Sequence, residues 1–212
     1  MELSTYLDQA MSNLLKMSRT ACGVVDVSAS TNKKDYMAIE SGKEAERYAQ
    51  ANFREAIRMC YDHRKDSYET PQELRTFLES VAVRINRGIV RDGVFFRIEN
   101  SEKYSYVRAE EIPEEVDWFF RKLYGRLKAD PVETAAFCEF CINLTGHYLA
   151  DGCGKFSMAV AAFVLMRADM TLPVYRTRKE YFAWSPAQPC SAESDMRRQA
   201  LQRFTAYYRT LF

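Results

Sequence analysis

The sequence predicts an all-α bundle that carries one small β-hairpin. Apolar residues recur at three- and four-residue intervals through most of the 212 residues, which is the spacing of amphipathic helices. Thr70-Pro71-Gln72-Glu73 is a good helix start, with an N-cap threonine, proline at the first position and an acid in the first turn. Only residues 90–108 change to the pattern of two short strands around a turn.

We expect three regions along the chain, of which residues 1–88 form an N-terminal helical region that packs on the core. Two segments in it have helical spacing, at residues 3–18 and 40–64, and a polar loop rich in Ser, Thr and Asn separates them at 27–35. A third helix is expected to begin at Thr70 and to run to about Ile85.

Residues 89–184 are expected to form the core of the fold. The hairpin comes first and must pack on helices, because an isolated two-stranded ribbon is marginally stable in water. Four helices should follow, at residues 113–127, 131–145, 154–168 and 178–184. The third of these is apolar nearly all round, so we expect it to be central. The last region, residues 185–212, should add a C-terminal helix from Glu193.

Composition limits the classes of function. Thirty basic and twenty-nine acidic residues give a net charge of +1, and no basic stripe indicates a nucleic-acid partner. The first seventeen residues include Glu2 and Asp8 and have no continuous apolar run, so we expect no signal peptide. No stretch approaches the ~20 apolar residues of a membrane span. We therefore expect a cytoplasmic protein with no membrane partner.

Six cysteines are expected to be reduced thiols. Cys138 and Cys141 have the spacing of a metal or redox pair, and Cys153 and His147 are possible further ligands. However, the pair lies in an apolar helical pattern, where cysteine behaves as a small hydrophobic residue. Core packing is the favoured interpretation, and a zinc site is the alternative.

Residues 146–155, Gly-His-Tyr-Leu-Ala-Asp-Gly-Cys-Gly-Lys, concentrate chemistry suited to phosphate. A glycine-rich loop that leads into a helix N-terminus is a natural anion site, because its free N–H groups and the helix dipole favour negative charge. Lys155 can pair with phosphate, Asp151 can hold a divalent metal and His147 can move protons near neutral pH. Each residue also has an ordinary structural interpretation, such as a turn at Asp151-Gly152.

The sequence from His147 to Met158 resembles the signature of Fic-domain proteins, His-Pro-Phe-x-Asp/Glu-Gly-Asn-Gly-Arg-x-x-Arg. Residues 93–97 resemble the start of that family's flap hairpin, and residues 112–116 resemble the proline-led helix after the flap. Residues 130–136 are similar to the helix entry that leads to the signature. Residues 37–182 can be followed in family order. The resemblance implies a Fic-like helical bundle with a small β-hairpin flap.

The resemblance also implies a transferase that moves a nucleotide-derived group, by default AMP from ATP, onto a Ser, Thr or Tyr hydroxyl of a target protein. His147 would be the general base, and Asp151 would hold Mg²⁺. Backbone donors and one cation in the next residues would bind the nucleotide phosphates; these residues are Gly152, Cys153, Gly154 and Lys155.

Two further roles follow from the resemblance. The flap would align a segment of the target by strand addition, through Val94, Phe95, Phe96 and Arg97; a purely structural hairpin is the alternative. Many family members carry an inhibitory glutamate, and the stretch closest to that motif is residues 36–41. It makes Glu40 a candidate inhibitory residue, with an ordinary helix-start glutamate as the alternative.

The chain departs from the family signature at five positions. Tyr148 and Leu149 replace Pro and Phe, and Cys153 replaces Asn. Lys155 keeps the charge of the first arginine without its bidentate fork, and Met158 replaces the second arginine. These changes leave the donor nucleotide open. They also leave two alternatives: a Doc-like phosphoryl transferase, and a catalytically weak Fic-like module that binds a partner protein.

Overall fold

The computed structural model describes residues 1–17, 38, 43–91, 95–97, 100 and 106–212. Within these ranges the chain forms eight α-helices, so the all-α prediction is confirmed. The helices are α1 Leu3–Met17, α2 Lys43–Asp62, α3 Pro71–Asn86, α4 Ile112–Arg126, α5 Pro131–Glu139, α6 Cys153–Arg167, α7 Arg178–Phe182 and α8 Asp195–Arg209. A 3-10 turn at Ala109–Glu111 precedes α4, and a π-helical segment at Phe140–Gly146 continues α5. The predicted hairpin lies largely outside the described residues and stays a prediction.

Side-chain caps fix where several helices begin. The Thr70 hydroxyl accepts the backbone N–H of Glu73 at 3.2 Å, and proline follows in the first turn of α3. Asp130 caps α5 in the same way, by accepting the N–H of Glu133 at 2.9 Å. A cap and a proline together stop the helix from extending backwards, which is why these starts are readable in the sequence.

Helix α6 is the centre of the bundle. It packs against α2, α3 and α5, and α8 packs on the far side of α5. Because α6 meets neighbours on several sides, twelve of its fifteen residues are buried, as its apolar sequence predicts. The apolar core includes residues from all three regions predicted along the chain, from Tyr6 in α1 to Leu211 after α8. No helix of the described residues is long and apolar enough to cross a membrane.

The predicted helix at residues 131–145 changes its hydrogen-bond pattern at Phe140. The α-helical part ends at Glu139 and a π-helical turn continues to Gly146. The Thr145 hydroxyl donates to the carbonyls of Phe140 and Cys141 at 3.2 and 3.4 Å, which satisfies acceptors in this wider turn. Single π-helical turns often occur at functional sites, and this one ends where the candidate site begins.

A buried acid ties α5 to the C-terminal part of the chain. Glu139 is 1% exposed and accepts hydrogen bonds from three tyrosine hydroxyls. Tyr181 of α7 donates at 2.8 Å and Tyr208 of α8 at 3.0 Å, and Tyr175 is the third donor. Burial raises the pKa of Glu139 to about 7, although the three hydrogen bonds act in the opposite direction.

Candidate functional site

The signature loop, residues 147–152, begins with an abrupt exit from the π-helical segment. His147 has a left-handed backbone with φ of 48°, and its N–H donates to the carbonyl of Ile142 at 2.9 Å. The preceding residue must be glycine, since a Cβ on Gly146 would lie 2.2 Å from the Tyr148 ring and 2.5 Å from the Cys141 carbonyl. The bend holds His147, which is half-buried, at the start of the loop.

Tyr148 anchors the loop in the core. It is 2% exposed, and its ring approaches that of Phe119 with centroids 6.2 Å apart. The positive charge of Arg197 of α8 acts on its hydroxyl. Arg197 is itself held by Glu115 of α4, whose two carboxylate oxygens accept from one guanidinium nitrogen at 2.7 and 2.9 Å. Tyrosine therefore fills the position of the family proline with a side chain that reaches α4 and α8.

A short stretch of the predicted flap, residues 95–97, makes an isolated antiparallel β-bridge with the signature loop. Phe96 lies opposite Leu149. The N–H of Arg97 donates to the Tyr148 carbonyl at 3.0 Å, and the N–H of Ala150 donates to the Phe95 carbonyl at 3.0 Å. In this pattern the N–H and C=O of Phe96 point to the opposite edge of the strand. We call residues 95–97 the flap strand.

The Arg97 side chain binds the carbonyls at the helix exit. Its Nε donates to the His147 carbonyl at 2.8 Å, and one of its terminal nitrogens donates to those of Gly146 (3.3 Å) and Val107. Burial lowers the pKa of the Arg97 guanidinium. Arg97 was predicted as a target-docking residue. The structure shows its side chain holding the loop, and the docking role of the flap strand stays a prediction.

Tyr106 lies flat on the imidazole of His147. The ring centroids are 4.3 Å apart and the planes differ by 5°. The contact covers one face of the proposed general base. Sequence patterns did not indicate this contact, because Tyr106 belongs to the same apolar alternation as its neighbours in the predicted hairpin.

The end of the loop is shaped by Gly152 and by Asn86 at the end of α3. The Asn86 side-chain amide donates to the Asp151 carbonyl at 3.0 Å. Gly152 has φ of +78°, and a Cβ there would lie 2.6 Å from Asn86 Oδ1. Helix α6 then begins, with the N–H of Phe156 donating to the Gly152 carbonyl at 2.8 Å. Asn86 is a loop-shaping residue that the sequence patterns did not indicate.

Cys153 points inward, not toward a phosphate. Its sulfur is buried, accepts the N–H of Leu149 at 3.2 Å and lies 3.5 Å from the Leu149 carbonyl. The thiol therefore closes the loop on itself. The backbone N–H groups at the start of α6, including that of Gly154, are the part of the predicted phosphate site that does not depend on side chains.

Asp151 and Lys155 face each other in the interior. They are 3% and 5% exposed, one helical turn apart, and Lys155 Nζ lies 4.0 Å from Asp151 Oδ2. Lys155 was predicted as a cation for phosphate, and Asp151 as a metal ligand. The structure brings the two together across the loop and the first turn of α6.

The metal-binding chemistry of the site is that of a single carboxylate. The described residues contain no group of three His, Cys, Asp or Glu side chains that could hold a metal. Cys138 and Cys141, the other pair considered for zinc, are buried, and burial raises the pKa of both thiols. Mg²⁺ in nucleotide sites commonly takes one or two carboxylates together with substrate phosphates. Asp151 therefore fits Mg²⁺ that arrives with a nucleotide.

Two predicted site residues, Glu40 and Val94, lie outside the described residues. The others occupy one region at the exit of the π-helical segment and the start of α6. The structure brings to the same region Asn86, Tyr106 and Arg197, none of which the sequence patterns indicated.

Comparison with known proteins gives relatives by structure only. No protein-family sequence model matches the chain, and no curated protein sequence matches it. A Fic domain-containing signaling protein from Bacteroides thetaiotaomicron has a TM-score of 0.65 and 17% sequence identity, over 99% of this chain and 84% of the other. IbpAFic2 covalently tethered to Cdc42 has a TM-score of 0.54 and 14% identity, over 97% of this chain and 63% of the other.

A histidine-to-alanine variant of IbpAFic2, in complex with adenylylated Cdc42, has a TM-score of 0.53 and 12% identity, over 98% and 64% of the two chains. The chain thus spans less than two thirds of the length of these IbpAFic2 structures. Because every identity is low, the similarity concerns the path of the backbone and assigns no residue roles. The helices nevertheless follow one known arrangement, and the chain has the Fic-domain fold.

Proposed function

We propose that this chain is a Fic-type transferase that moves a nucleotide-derived group onto a hydroxyl of a target protein. The observation that carries the proposal is the position of His147. It lies at a left-handed bend that Gly146 and Arg97 maintain, one loop away from the first turn of a central helix. A proton acceptor beside a helix N-terminus is the arrangement that phosphate transfer to a hydroxyl requires.

With ATP as the default donor, the target hydroxyl oxygen forms a bond to the α-phosphorus. The bond from that phosphorus to the bridging oxygen breaks, and pyrophosphate leaves with the electron pair. His147 accepts the hydroxyl proton; proton transfer by a positioned side chain is typically worth ~10²–10⁴-fold in rate. Asp151 would hold Mg²⁺, which when bound supplies positive charge to the phosphates. Gly152, Cys153 and Gly154 would offer N–H groups to the same oxygens.

Lys155 is proposed to change partner during donor binding. Its ammonium group lies 4.0 Å from Asp151 Oδ2. A nucleotide and Mg²⁺ would bring both a new anion for Lys155 and a new cation for Asp151. The buried pair therefore keeps two charges compensated until the donor arrives, and an uncompensated charge at either position would be costly.

The flap strand is the proposed docking edge for the target. Its side toward the loop is used by the hydrogen bonds of Phe95 and Arg97, whereas the N–H and C=O of Phe96 face the other way. An extended target segment can add to such an edge through main-chain hydrogen bonds. The IbpAFic2 structures with Cdc42 support a protein target for this fold.

A protein-binding module with little catalytic activity is the second candidate. The observation that favours it is the loss of phosphate-directed side chains. Cys153 points inward, Lys155 pairs with Asp151, and Met158 is a partly buried core residue. In this alternative the flap strand binds a partner, and the loop supports the flap.

The position of the radiolabel in the donor distinguishes the candidate functions. The chain is incubated with Mg²⁺ and cell extract, and ATP carries radiolabel at either its α- or its γ-phosphorus. Label is counted above the level that the same extract acquires without the chain, because kinases in the extract also transfer the γ-phosphoryl group. Such added label from the α-position alone supports AMP transfer, whereas added label from the γ-position alone identifies a Doc-like phosphoryl transferase. GTP, UTP and CTP labelled at the α-phosphorus extend the test to other donors. If no label reaches protein from any donor, the transferase proposal is wrong and the binding module is favoured.

A further inference from the structure

The stack between Tyr106 and His147 is built on two backbone segments that are tied to each other. The rings lie 4.3 Å apart and 5° from parallel. Val107, the neighbour of Tyr106, donates its N–H to the Thr145 carbonyl at 2.9 Å, and Thr145 lies two residues before His147. The Arg97 side chain joins the same two segments, because it donates to the carbonyls of Val107 and His147. Tyr106 and His147 therefore lie on two backbone segments that these hydrogen bonds hold together.

Stacking uses the flat side of the imidazole and leaves its nitrogens on the ring edge. The ring can therefore accept a proton without leaving Tyr106. An aromatic face is the negative part of the ring and attracts a cation, whereas a neutral imidazole gains no such attraction. The contact consequently favours the protonated form of His147 over the neutral form.

We propose that Tyr106 is a positioning residue for His147: its ring holds the imidazole in place and stabilises the positive charge that forms when His147 accepts a proton. The catalytic meaning of this inference rests on the proposed function. The effect on protonation rests only on the contact between the rings, so the two can be tested separately.

Other charges act on the same region and stay unchanged when Tyr106 is replaced. They come from the flap strand, the 3-10 turn, the signature loop and α6. Within the described residues these charged groups are Arg97, Glu110, Asp151 and Lys155. A comparison of variants at one position therefore isolates the contribution of the ring.

The chain has only two histidines, so NMR can follow each imidazole through a pH titration. Tyr106→Leu removes the aromatic face and should lower the titration midpoint of His147 by about half a pH unit. Tyr106→Phe keeps the face and should retain the parent midpoint. His147→Ala assigns the signals. His63, which is exposed and paired with Asp66 at 2.7 Å, is the internal reference.

A second measurement needs no variant of Tyr106. A proton held over an aromatic face resonates upfield, so the ring protons of His147 should lie upfield of their positions in the same chain unfolded in urea. His63 is no reference for this displacement, because its ring lies 4.7 Å from that of Phe77. Absence of that displacement would overturn the stack. An unchanged midpoint in folded Tyr106→Leu would overturn its effect on protonation, as would an equal decrease in Tyr106→Phe, since the hydroxyl group would then be responsible.

The transfer reaction provides the catalytic readout. Loss of the ring should move the acidic limb of the pH–rate profile about half a unit lower, and Tyr106→Phe should restore it, because a general base works in its neutral form. If the NMR midpoint shifts and no transfer is found with any donor, the proposed function fails and the ring contact stands. If transfer occurs and neither midpoint nor profile shifts, the proposal for Tyr106 fails alone.

Discussion

Gly152 and Gly154 stand two residues apart in the candidate site and differ in what they require. Gly152 has a left-handed backbone and no room for a Cβ, which would lie 2.6 Å from the Asn86 side chain. Gly154 does not have a positive φ, and a Cβ there would lie 3.7 Å from Asn143, an ordinary contact. The family-like Gly-x-Gly pattern therefore combines one residue fixed by backbone geometry with one that the fold alone does not require.

This difference predicts unequal effects of alanine. Gly152→Ala should lower the free energy of unfolding by about 1–3 kcal/mol, because alanine is strained at that φ and collides with Asn86. Gly154→Ala, the matched control, should stay within about 0.5 kcal/mol of the parent. Urea denaturation of both variants measures the difference. Equal losses would show that the backbone at Gly152 is not the constraint.

The buried pair of Asp151 and Lys155 is a second prediction at the scale of residues. Lys155→Met alone removes a cation 4.0 Å from the buried Asp151 carboxylate, and Asp151→Asn alone removes an anion at the same distance from the buried Lys155 ammonium group. Each change should lower the free energy of unfolding by about 3–5 kcal/mol, and the double variant should lose much less than the sum. The double-mutant cycle is measured by urea denaturation.

The exposed pair Arg176 and Glu180, also four residues apart, is the control for that cycle, with a nitrogen–oxygen distance of 3.2 Å. Its coupling should not exceed about 0.5 kcal/mol, since solvent screens exposed pairs. A coupling between Asp151 and Lys155 that is no larger than this would contradict the role of their burial.

At the scale of elements, residues of α8 and α4 support the signature loop from the side of the core. Arg197 of α8 is buried and bound by both oxygens of Glu115 of α4, and its charge acts on the hydroxyl of Tyr148. The loop is thus supported by a helix that begins more than forty residues later in the chain. Such support can fix the position of His147 without any contact to substrate.

Arg197→Met should therefore destabilise the protein and loosen the loop. It leaves Glu115 buried without its partner, and we expect a loss of about 3–5 kcal/mol in the free energy of unfolding. Hydrogen exchange at the amides of Arg97 and Ala150, which pair the flap strand with the loop, should become faster. Arg198→Met is the control, because the side chain of Arg198 is 68% exposed and should contribute less than about 1 kcal/mol. Unchanged hydrogen exchange at these amides in Arg197→Met would show that Arg197 does not support the signature loop.

The elements also show how far sequence patterns reach. Helix starts at Thr70 and Asp130 depend on local chemistry, so they were readable. The change from α- to π-helix at Phe140 was not, because the apolar pattern of residues 131–145 satisfies either turn while tertiary contacts choose between them. Asn86, Tyr106 and Arg197 were missed for a similar reason, since each acts on the loop from a distant part of the chain.

For the whole molecule, Glu139 links folding to pH. Its pKa is about 7 in the folded protein, above the ordinary glutamate value of 4.5. A raised carboxyl pKa means that the folded state binds the proton more tightly than the unfolded state. The contribution of Glu139 is therefore most favourable below about pH 4.5 and is lost as pH rises toward 7.

Glu139→Gln should remove this dependence. Between about pH 4.5 and 7 the free energy of unfolding of the parent should fall by up to about 3 kcal/mol relative to the variant. Urea denaturation of both proteins at four pH values across the window measures the difference, and Glu114→Gln removes an exposed carboxylate as the control. If the free energies of unfolding of the parent and Glu139→Gln changed with pH in parallel, Glu139 would not be the group that links stability to pH.

The sequence resemblance anticipated the overall fold, which the low-identity structural relatives support, and its site residues stay a prediction. It did not anticipate that Lys155 and Cys153 turn inward, because a motif fixes the order of residues and not the direction of side chains.

The most direct test of the proposed function compares the two histidines in the transfer reaction. Label from the α-phosphorus of the donor is measured on protein for the parent, His147→Ala and His63→Ala, each with Mg²⁺. The parent and His63→Ala should transfer at similar rates, and His147→Ala should be at least ~10²-fold slower, as expected when a general base is removed. Equal transfer by His147→Ala and the parent would show that His147 is not the base and that the proposed mechanism is wrong.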